Sequence, residues 1–257
     1  MTFEYDETQR RARAYYDRMA REEQRFARPV NREELSRPLQ VVDGLGWLGA
    51  SIRGQKLLCL AAGGGRQSAL YAAAGADVTV VDISPEMLRL DRQVATEHKL
   101  RIATIEASMD NLSMLANATF DIVVQPVSTC YVSDVERVYR EVARVTRPGG
   151  LYISQHKQPT SLQVAMGVLS QGYVLSERYY RQGPLPPSGP CRHREAGSIE
   201  YLHRWEQLIG GMCRAGFVIE DFVEPPHARA DADAGSFGHR SQFVAPYVRV
   251  KARRRES

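Results

Sequence analysis

Residues Lys56–Asp82 read KLLCLAAGGGRQSALYAAAGADVTVVD, and this stretch decides the fold. Leu57, Leu58, Leu60 and Ala61 form the short apolar run expected of a buried parallel strand, and Val78, Val80 and Val81 form a second. Between them Gly63, Gly64 and Gly65 lead into a helical run from Arg66 to Ala74. A turn without β-carbons lets backbone N–H groups approach a ligand closely. Asp82 closes the second strand, where its carboxylate can accept both hydroxyl protons of a ribose. Glycine turns and terminal aspartates also serve purely structural ends. Here strand, glycine turn, helix, strand and acid arrive together and in order, which is the layout of a nucleotide-binding unit.

Working outward, the alternation continues. Strands are expected at 57–61, 77–82, 101–106, 120–125 and 150–155, with helices at 66–74, 84–98 and 133–146 and a helical turn near 110–115. Strands separated by helix-sized segments require crossover connections, hence a parallel sheet with helices on both faces. Ser84-Pro85-Glu86 is a helix start, with an N-cap hydroxyl ahead of a proline at the first helical position. Gly149-Gly150 after Arg147-Pro148 marks a helix end feeding a strand. Upstream, residues 7–27 are rich in Arg and Glu, with Tyr15, Tyr16, Met19 and Phe26 on one stripe, and a second helical segment runs from about Leu39 to Leu48 after Pro29 and Pro38. Residues 1–48 therefore read as a helical extension packed on the core, and 49–257 as the main domain.

From Gln158 to Gly197 the chain carries Pro159 and the run Gly183-Pro184-Leu185-Pro186-Pro187-Ser188-Gly189-Pro190, which sustains neither helix nor central strand. This insertion is expected to form a mobile cover over the acceptor pocket, since loops of this length in a compact domain are usually functional or mobile. A helix from about Ile199 to Ala215, a strand Phe217–Val223, a second loop and a last strand Gln242–Val250 follow. The last two strands lack a helix between them, so an antiparallel pair joins them.

Composition bounds the function. The chain has 257 residues, 43% hydrophobic and 25% charged, enough for a full core, and a net charge of +4 concentrated partly in the tail Lys251, Arg253, Arg254 and Arg255. A solvated terminus explains that tail more simply than a nucleic-acid arm, and no basic stripe is interleaved with aromatics. No apolar run reaches the roughly 20 residues of a membrane span. The start Met1–Asp6 lacks a basic patch followed by an apolar core, and Cys59, Cys130, Cys191 and Cys213 are scattered without a CxxC pair. A cytoplasmic location with reduced thiols and no metal is expected.

The chain resembles the class I S-adenosylmethionine-dependent methyltransferases, well over residues 55–155 and loosely elsewhere. The resemblance rests on Leu58-Cys59-Leu60-Ala61-Ala62-Gly63-Gly64-Gly65 in place of the glycine motif, on Val80-Val81-Asp82-Ile83-Ser84-Pro85-Glu86-Met87-Leu88 as the second motif, on Phe120–Val124 as the fourth strand and on Arg147-Pro148-Gly149-Gly150-Leu151 as the turn into the fifth. Two positions depart: Cys59 stands where a strand acid is common, and Ala61 replaces the first glycine. The resemblance implies a Rossmann-like, doubly wound, seven-stranded and mostly parallel sheet with an antiparallel last strand. It implies S-adenosylmethionine as cofactor, held by Ala61, Gly63, Gly65, Arg66 and Asp82, with Ile83 packing on adenine. In the post-third-strand turn, either Ser108 or Asp110 would read the adenine amino group and Met109 would pack on the ring edge, although Asp110 could equally cap the element behind it. A nicotinamide cofactor is the rival, since Gly63-Gly64-Gly65-Arg66-Gln67-Ser68 partly imitates GxGxxG; Ser68 then falls where glycine or alanine is usual.

A sulfonium is an activated electrophile, so the protein's main task is alignment. A base helps only if the acceptor arrives protonated, and His156 and His203 are the candidates, each also readable as a packing histidine. Gln125 and the segment Pro126–Tyr131 must border the crevice, because ligands of open α/β sheets bind beyond the strands' carboxyl ends. That segment is not the NPPY type associated with base and glutamine acceptors. A small-molecule acceptor is therefore expected, enclosed by the insertion with Tyr173, Tyr179, Tyr180 and Trp205, half of which could be ordinary core. A cofactor-binding regulator is the second reading and an NAD(P)-dependent oxidoreductase the third.

Overall fold

The computed structural model describes residues 5–22, 28, 30–169, 172–189 and 191–256; Phe26, Pro29 and Pro190 lie outside them. Seven strands form one sheet: β1 Lys56–Leu60, β2 Asp77–Asp82, β3 Ile102–Glu106, β4 Phe120–Gln125, β5 Thr146–Lys157, β6 Phe217–Val223 and β7 Tyr247–Arg254. Their order is β3-β2-β1-β4-β5-β7-β6. The first five strands pair in parallel, and β7 runs antiparallel to both β5 and β6. The order reverses between β1 and β4, which places the binding crevice over their carboxyl ends.

Alternation within β1 shows how the sheet is buried twice. Leu58 and Leu60 face one layer with Val123, Tyr139, Val142 and Met212, whereas Leu57 and Cys59 face the other with Val78, Val80, Tyr71 and Ile52. The helices in chain order are α1 Glu7–Arg21, α2 Arg32–Ser36, α3 Pro38–Val42, α4 Arg66–Ala73, α5 Pro85–Glu97, α6 Val135–Val145, α7 Pro159–Gln163, α8 Gly211–Arg214 and α9 Phe237–Arg240. Ser84 caps α5 as its sequence requires, accepting from Met87 N at 3.1 Å. Among the described residues no helix is long and apolar enough to cross a membrane.

Several expected boundaries move. The segment after β3 forms turns rather than a helical turn at 110–115. The last strand begins at Tyr247, not Gln242, because α9 and its following turn occupy 237–243 and Pro246 cannot donate to a ladder. β5 starts at Thr146, three residues before the glycine pair, with a register shift opposite Phe120–Ile122 that lets Gly149 take φ +71°. The late helix does not start at Ile199. Glu200 O accepts from Leu185 N at 2.7 Å and Tyr201 N donates to Cys130 O at 2.8 Å, so this backbone is spent on neighbouring strands of loop. Helix begins only at Trp205, opens with a π-helical turn over Glu206–Gly210 and ends as α8. His203 therefore sits on an extended segment rather than on a helix.

Candidate active site

The glycine turn joins β1 to α4 and is held from beneath by two carboxylates. Gly63 N donates to Asp82 Oδ2 and Ser84 N to Asp82 Oδ1, both at 2.9 Å. A carboxylate offers about four acceptor positions, so Asp82 keeps capacity for two ribose hydroxyls. A Cβ on Gly63 would fall 2.8 Å from Met87 Cβ and 3.0 Å from Asp82 Oδ2, which is why this position is glycine. Burial raises the Asp82 carboxyl above its usual range, while the amides of Ser84 and Gly63 pull the other way. Ala61 holds φ +49°, the left-handed region in which a β-carbon costs roughly 1–2 kcal/mol. Its backbone thus keeps the shape a glycine would take.

The second carboxylate was not legible as a site residue. Asp91, on α5 and fully buried, accepts from Gly64 N and Gly65 N at 3.1 Å each and from Ser68 Oγ. Ser68 is therefore not a misplaced glycine of a nicotinamide motif. Its hydroxyl is one of three donors that fasten the turn to α5. Gly65 is needed at this contact, since at φ +82° a Cβ would lie 3.0 Å from Leu90 O. Burial pushes the Asp91 carboxyl up to about 7 against the opposing pull of Ser68 and Gly64. The signal available in the sequence was an acid nine residues after Asp82, on the inward face of an otherwise apolar helical stripe.

Helix α1 lies across the carboxyl ends of β2, β3 and β4. Gln9 Nε2 donates to Ser108 Oγ at 3.0 Å and Asp110 Oδ1 at 3.1 Å, Arg13 pairs with Glu106 at 2.9 Å, and Asp17 Oδ1 accepts from Ser84 Oγ at 2.6 Å. The spacing of Gln9, Arg13 and Asp17 is one polar stripe of a helix, which a sequence reading focused on apolar residues passes over. Ala12 and Tyr16 on the same helix pack on Cys130 and Tyr131, and Met19 and Ala20 on Met87. Ser108, Asp110, Ser84 and Asp82 thus gather under α1, with Ile83 between two of them in the chain. The Arg66 guanidinium turns away, to Glu34 Oε1 of α2 at 2.6 Å.

The post-β4 turn is the most heavily braced part of the crevice. Gln125 donates through Nε2 to Ser128 Oγ at 2.9 Å and to Met109 Sδ at 3.2 Å, and accepts from Tyr152 Oη at 2.5 Å. His156, 1% exposed, has Nδ1 2.8 Å from Thr129 Oγ1 and Nε2 2.8 Å from Ser154 Oγ. Burial and the neighbouring His203 hold its imidazole down to about 3. His203 Nε2 donates to Thr129 O at 3.0 Å and Val132 O at 2.9 Å, which assigns the proton to that nitrogen. Burial lowers its pKa also. Both histidines grip the turn Thr129–Tyr131. Of the expected aromatics, Tyr173 and Tyr180 lie apart: Tyr173 Oη meets His239 Nδ1 at 2.8 Å, and Tyr180 is mostly exposed. Tyr179 Oη accepts from Trp205 N at 3.2 Å.

At the end of β5 the insertion is fastened by charge. Lys157 Nζ donates to Glu195 Oε2 and Glu200 Oε1, both at 2.6 Å, and Arg194 Nε donates to Glu200 Oε2 at 2.6 Å. Burial opposes ionisation of Glu195, but the Lys157 ammonium outweighs it and holds the carboxyl low. Lys157 Nζ also stands 5.9 Å from the centre of the Tyr131 ring, linking this network to the post-β4 turn. Tyr131 Oη itself has no hydrogen-bond partner among the described residues.

Comparison with known proteins agrees with this geometry. The methyltransferase domain family matches residues 58–154. The uncharacterised methyltransferase YbaJ of Bacillus subtilis is 37% identical over 177 residues, 67% of this chain and 69% of that protein. The ubiquinone biosynthesis O-methyltransferase of Xanthomonas oryzae pv. oryzae is 27% identical over 123 residues, 48% of this chain, which spans only 52% of that enzyme's length. Among solved structures, an S-adenosylmethionine-dependent methyltransferase from Mesorhizobium loti superimposes with a TM-score of 0.64 at 22% identity, over 82% of this chain and 96% of its own. The chain belongs to the class I S-adenosylmethionine-dependent methyltransferases. The oxidoreductase reading falls with that assignment, and the cofactor is S-adenosylmethionine.

The residues present fit that cofactor. The turn at Gly63 has no room for a side chain, the Asp82 carboxylate keeps free acceptor positions beside it, and Ser108 and Met109 line the neighbouring strand end.

Proposed function

We propose that the protein transfers the methyl group of S-adenosylmethionine to a small-molecule acceptor. The observation that carries this reading is a cavity of about 290 Å³ beyond the end of β5, walled by the insertion and by residues 240–247. That volume suits a compact molecule and is too small for a polymer. The X. oryzae relative, named for ubiquinone biosynthesis, supports a small acceptor. The cofactor supplies the electrophilic methyl. The chain's own residues do the rest: Asp82 and the Gly63–Gly65 turn fix the nucleoside, α1 roofs its outer side through Gln9 and Asp17, and the braced Thr129–Tyr131 turn borders the crevice on the side of Lys157, which lines the cavity.

In this reading Ala61, Gly65 and Arg66 contribute backbone, Ile83, Ser108 and Met109 border the adenine, and Gln125 positions Ser128 rather than touching the ligand. His156 and His203 are positioning residues. His156 Nδ1 is engaged by Thr129 and its Nε2 by Ser154 of β5, an imidazole held down to about 3 carries no proton near neutral pH, and His203 Nε2 already donates to the carbonyls of Thr129 and Val132. The four free cysteines support a reducing, cytoplasmic setting. A panel of small acceptors, read by release of S-adenosylhomocysteine, tests the proposal. Release above the acceptor-free blank is expected for some members. Tight cofactor binding with no release from any of them would point instead to a regulator that binds without turnover.

A further inference from the structure

The same cavity carries an unbalanced charge. Its acidic and basic lining is Lys157, Glu177, His193, Arg194 and Arg240, with the Tyr247 phenol also in the wall. Glu177 is neutralised by Arg181 at 3.0 Å. Lys157 and Arg194 share Glu195 and Glu200. Arg240 stands apart. It is 1% exposed and forms no ion pair with any described carboxylate. Its Nη1 donates to Ser161 Oγ at 2.9 Å and His193 Nδ1 at 3.2 Å, its Nη2 to Ser161 O and to Val164 O at 3.1 Å, and its Nε has no partner among the described residues. All its acceptors are neutral. His193 adds no charge either, because burial, with Arg240 and Lys157 beside it, holds its imidazole down to about 4.

Three cations, Lys157, Arg194 and Arg240, therefore face two carboxylates, Glu195 and Glu200, and one positive charge remains in the wall of the cavity. A guanidinium does not shed its proton, and a buried charge without a counter-ion is strongly unfavourable. Only an anion entering the cavity can relieve it. One residual charge suits a carboxylate; a phosphate dianion would leave the site net negative. Leu162, Ala165 and Met166 give the cavity an apolar side for the remainder of such a molecule.

We propose that the cavity takes a carboxylate-bearing small molecule as the methyl acceptor, with Arg240 supplying the charge that the carboxylate neutralises. The assignment rests on this cavity being the acceptor end of the crevice. The test is a calorimetric titration of the full chain, saturated with S-adenosylhomocysteine, with benzoate, phenyl phosphate and benzamide. Benzoate should bind at least about tenfold more tightly than benzamide, with phenyl phosphate between them. Arg240→Met should weaken benzoate roughly 10- to 100-fold, the range for losing a charge-assisted contact, with S-adenosylhomocysteine binding unchanged as the control for folding. Equal affinity for benzoate and benzamide in the parent overturns the proposal even if Arg240→Met does not fold. So does unchanged benzoate binding in a folded Arg240→Met. The acceptor panel separates the two readings: methylation of neutral compounds only, indifferent to added benzoate, overturns the carboxylate assignment and leaves methyl transfer standing. Arg240-dependent benzoate binding without product from any compound removes methyl transfer and leaves the anion site.

Discussion

The cofactor half of this molecule and the half proposed to take the acceptor are built by different means. The first is mostly local: Gly63, Gly64, Asp82, Ser84 and Asp91 lie within one strand–turn–helix–strand–helix unit, the hydrogen bonds among them span at most 27 positions, and only α1 joins from outside, through Asp17 and Gln9. Its ionisable groups are carboxylates satisfied by backbone amides. The acceptor half is assembled from distant pieces, with Lys157 reaching Glu200 across 43 positions and Arg240 reaching Ser161 across 79. Buried ion pairs hold it. A geometry common to a whole cofactor class is encoded in a short motif, whereas a pocket that selects one acceptor is made from loops, where side chains are free to vary.

The largest expected effect tests the claim that charge fastens the acceptor half. Lys157→Met leaves Glu195 and Glu200 buried with only Arg194 between them, and breaking such a network typically costs about 3–5 kcal/mol. Urea unfolding should show that loss, while binding of S-adenosylhomocysteine by the folded variant stays near the parent's. A matching loss of cofactor affinity would break the distinction between the halves.

Asp82→Ala addresses the other half. Removing a charge-assisted contact to the ribose costs about 1.5–3 kcal/mol, or roughly 10- to 100-fold in affinity. The upper end is expected, because the Gly63 and Ser84 amides lose their acceptor as well. Calorimetric titration measures it, and parental affinity in a folded variant would make Asp82 a structural cap alone.

Asp91 sharpens the comparison through pH. Its carboxyl is raised to about 7 in the fold, against an ordinary value near 4 for the unfolded chain. Between those values the folded state holds a proton the unfolded state lacks, so the stability from this group falls as pH rises from about 4 to 7 and levels off above. Asp91→Asn does not titrate. Melting temperatures from pH 5 to 8 should therefore decline for the parent relative to the variant. A constant gap would mean that Asp91 is ionised throughout and holds the turn as a fixed anion. His156 moves oppositely, its neutral form contributing stability that is complete above about 6.5 and is lost as pH falls toward 3, but it is common to both proteins and cancels in the difference.

The smallest effect is at Ala61. Glycine there relieves the left-handed strain and gives back part of the gain in chain entropy, for a net stabilisation of about 0.5–1 kcal/mol. A rise of a few degrees in melting temperature is expected. A fall would show that the alanine methyl contributes packing which outweighs the strain.

Much of the sheet was legible in the chain itself. Apolar runs of strand length, the glycine turn and Asp82 follow from local rules, since a doubly buried strand must be apolar on both faces and a close backbone turn must lack β-carbons. Ser84 as an N-cap is equally local. The position of α1 was not: a helix with polar and apolar faces announces that it packs, not where, and only the fold brings Gln9 to Ser108 and Asp17 to Ser84. The histidines read in the sequence only as candidate bases, His156 just past the fifth strand and His203 at a helix start; the fold puts His156 inside β5 with Thr129 and Ser154 on either side of its ring. Arg240 looks like an ordinary surface residue in the sequence, and Asp91 is marked only by its place on an apolar stripe; both are fully buried in the structure. Burial is a property of what surrounds a residue, and that is why the sequence by itself determined the cofactor class and the sheet, whereas tertiary structure decided which charges are buried and which of them, among the described residues, have a counter-ion.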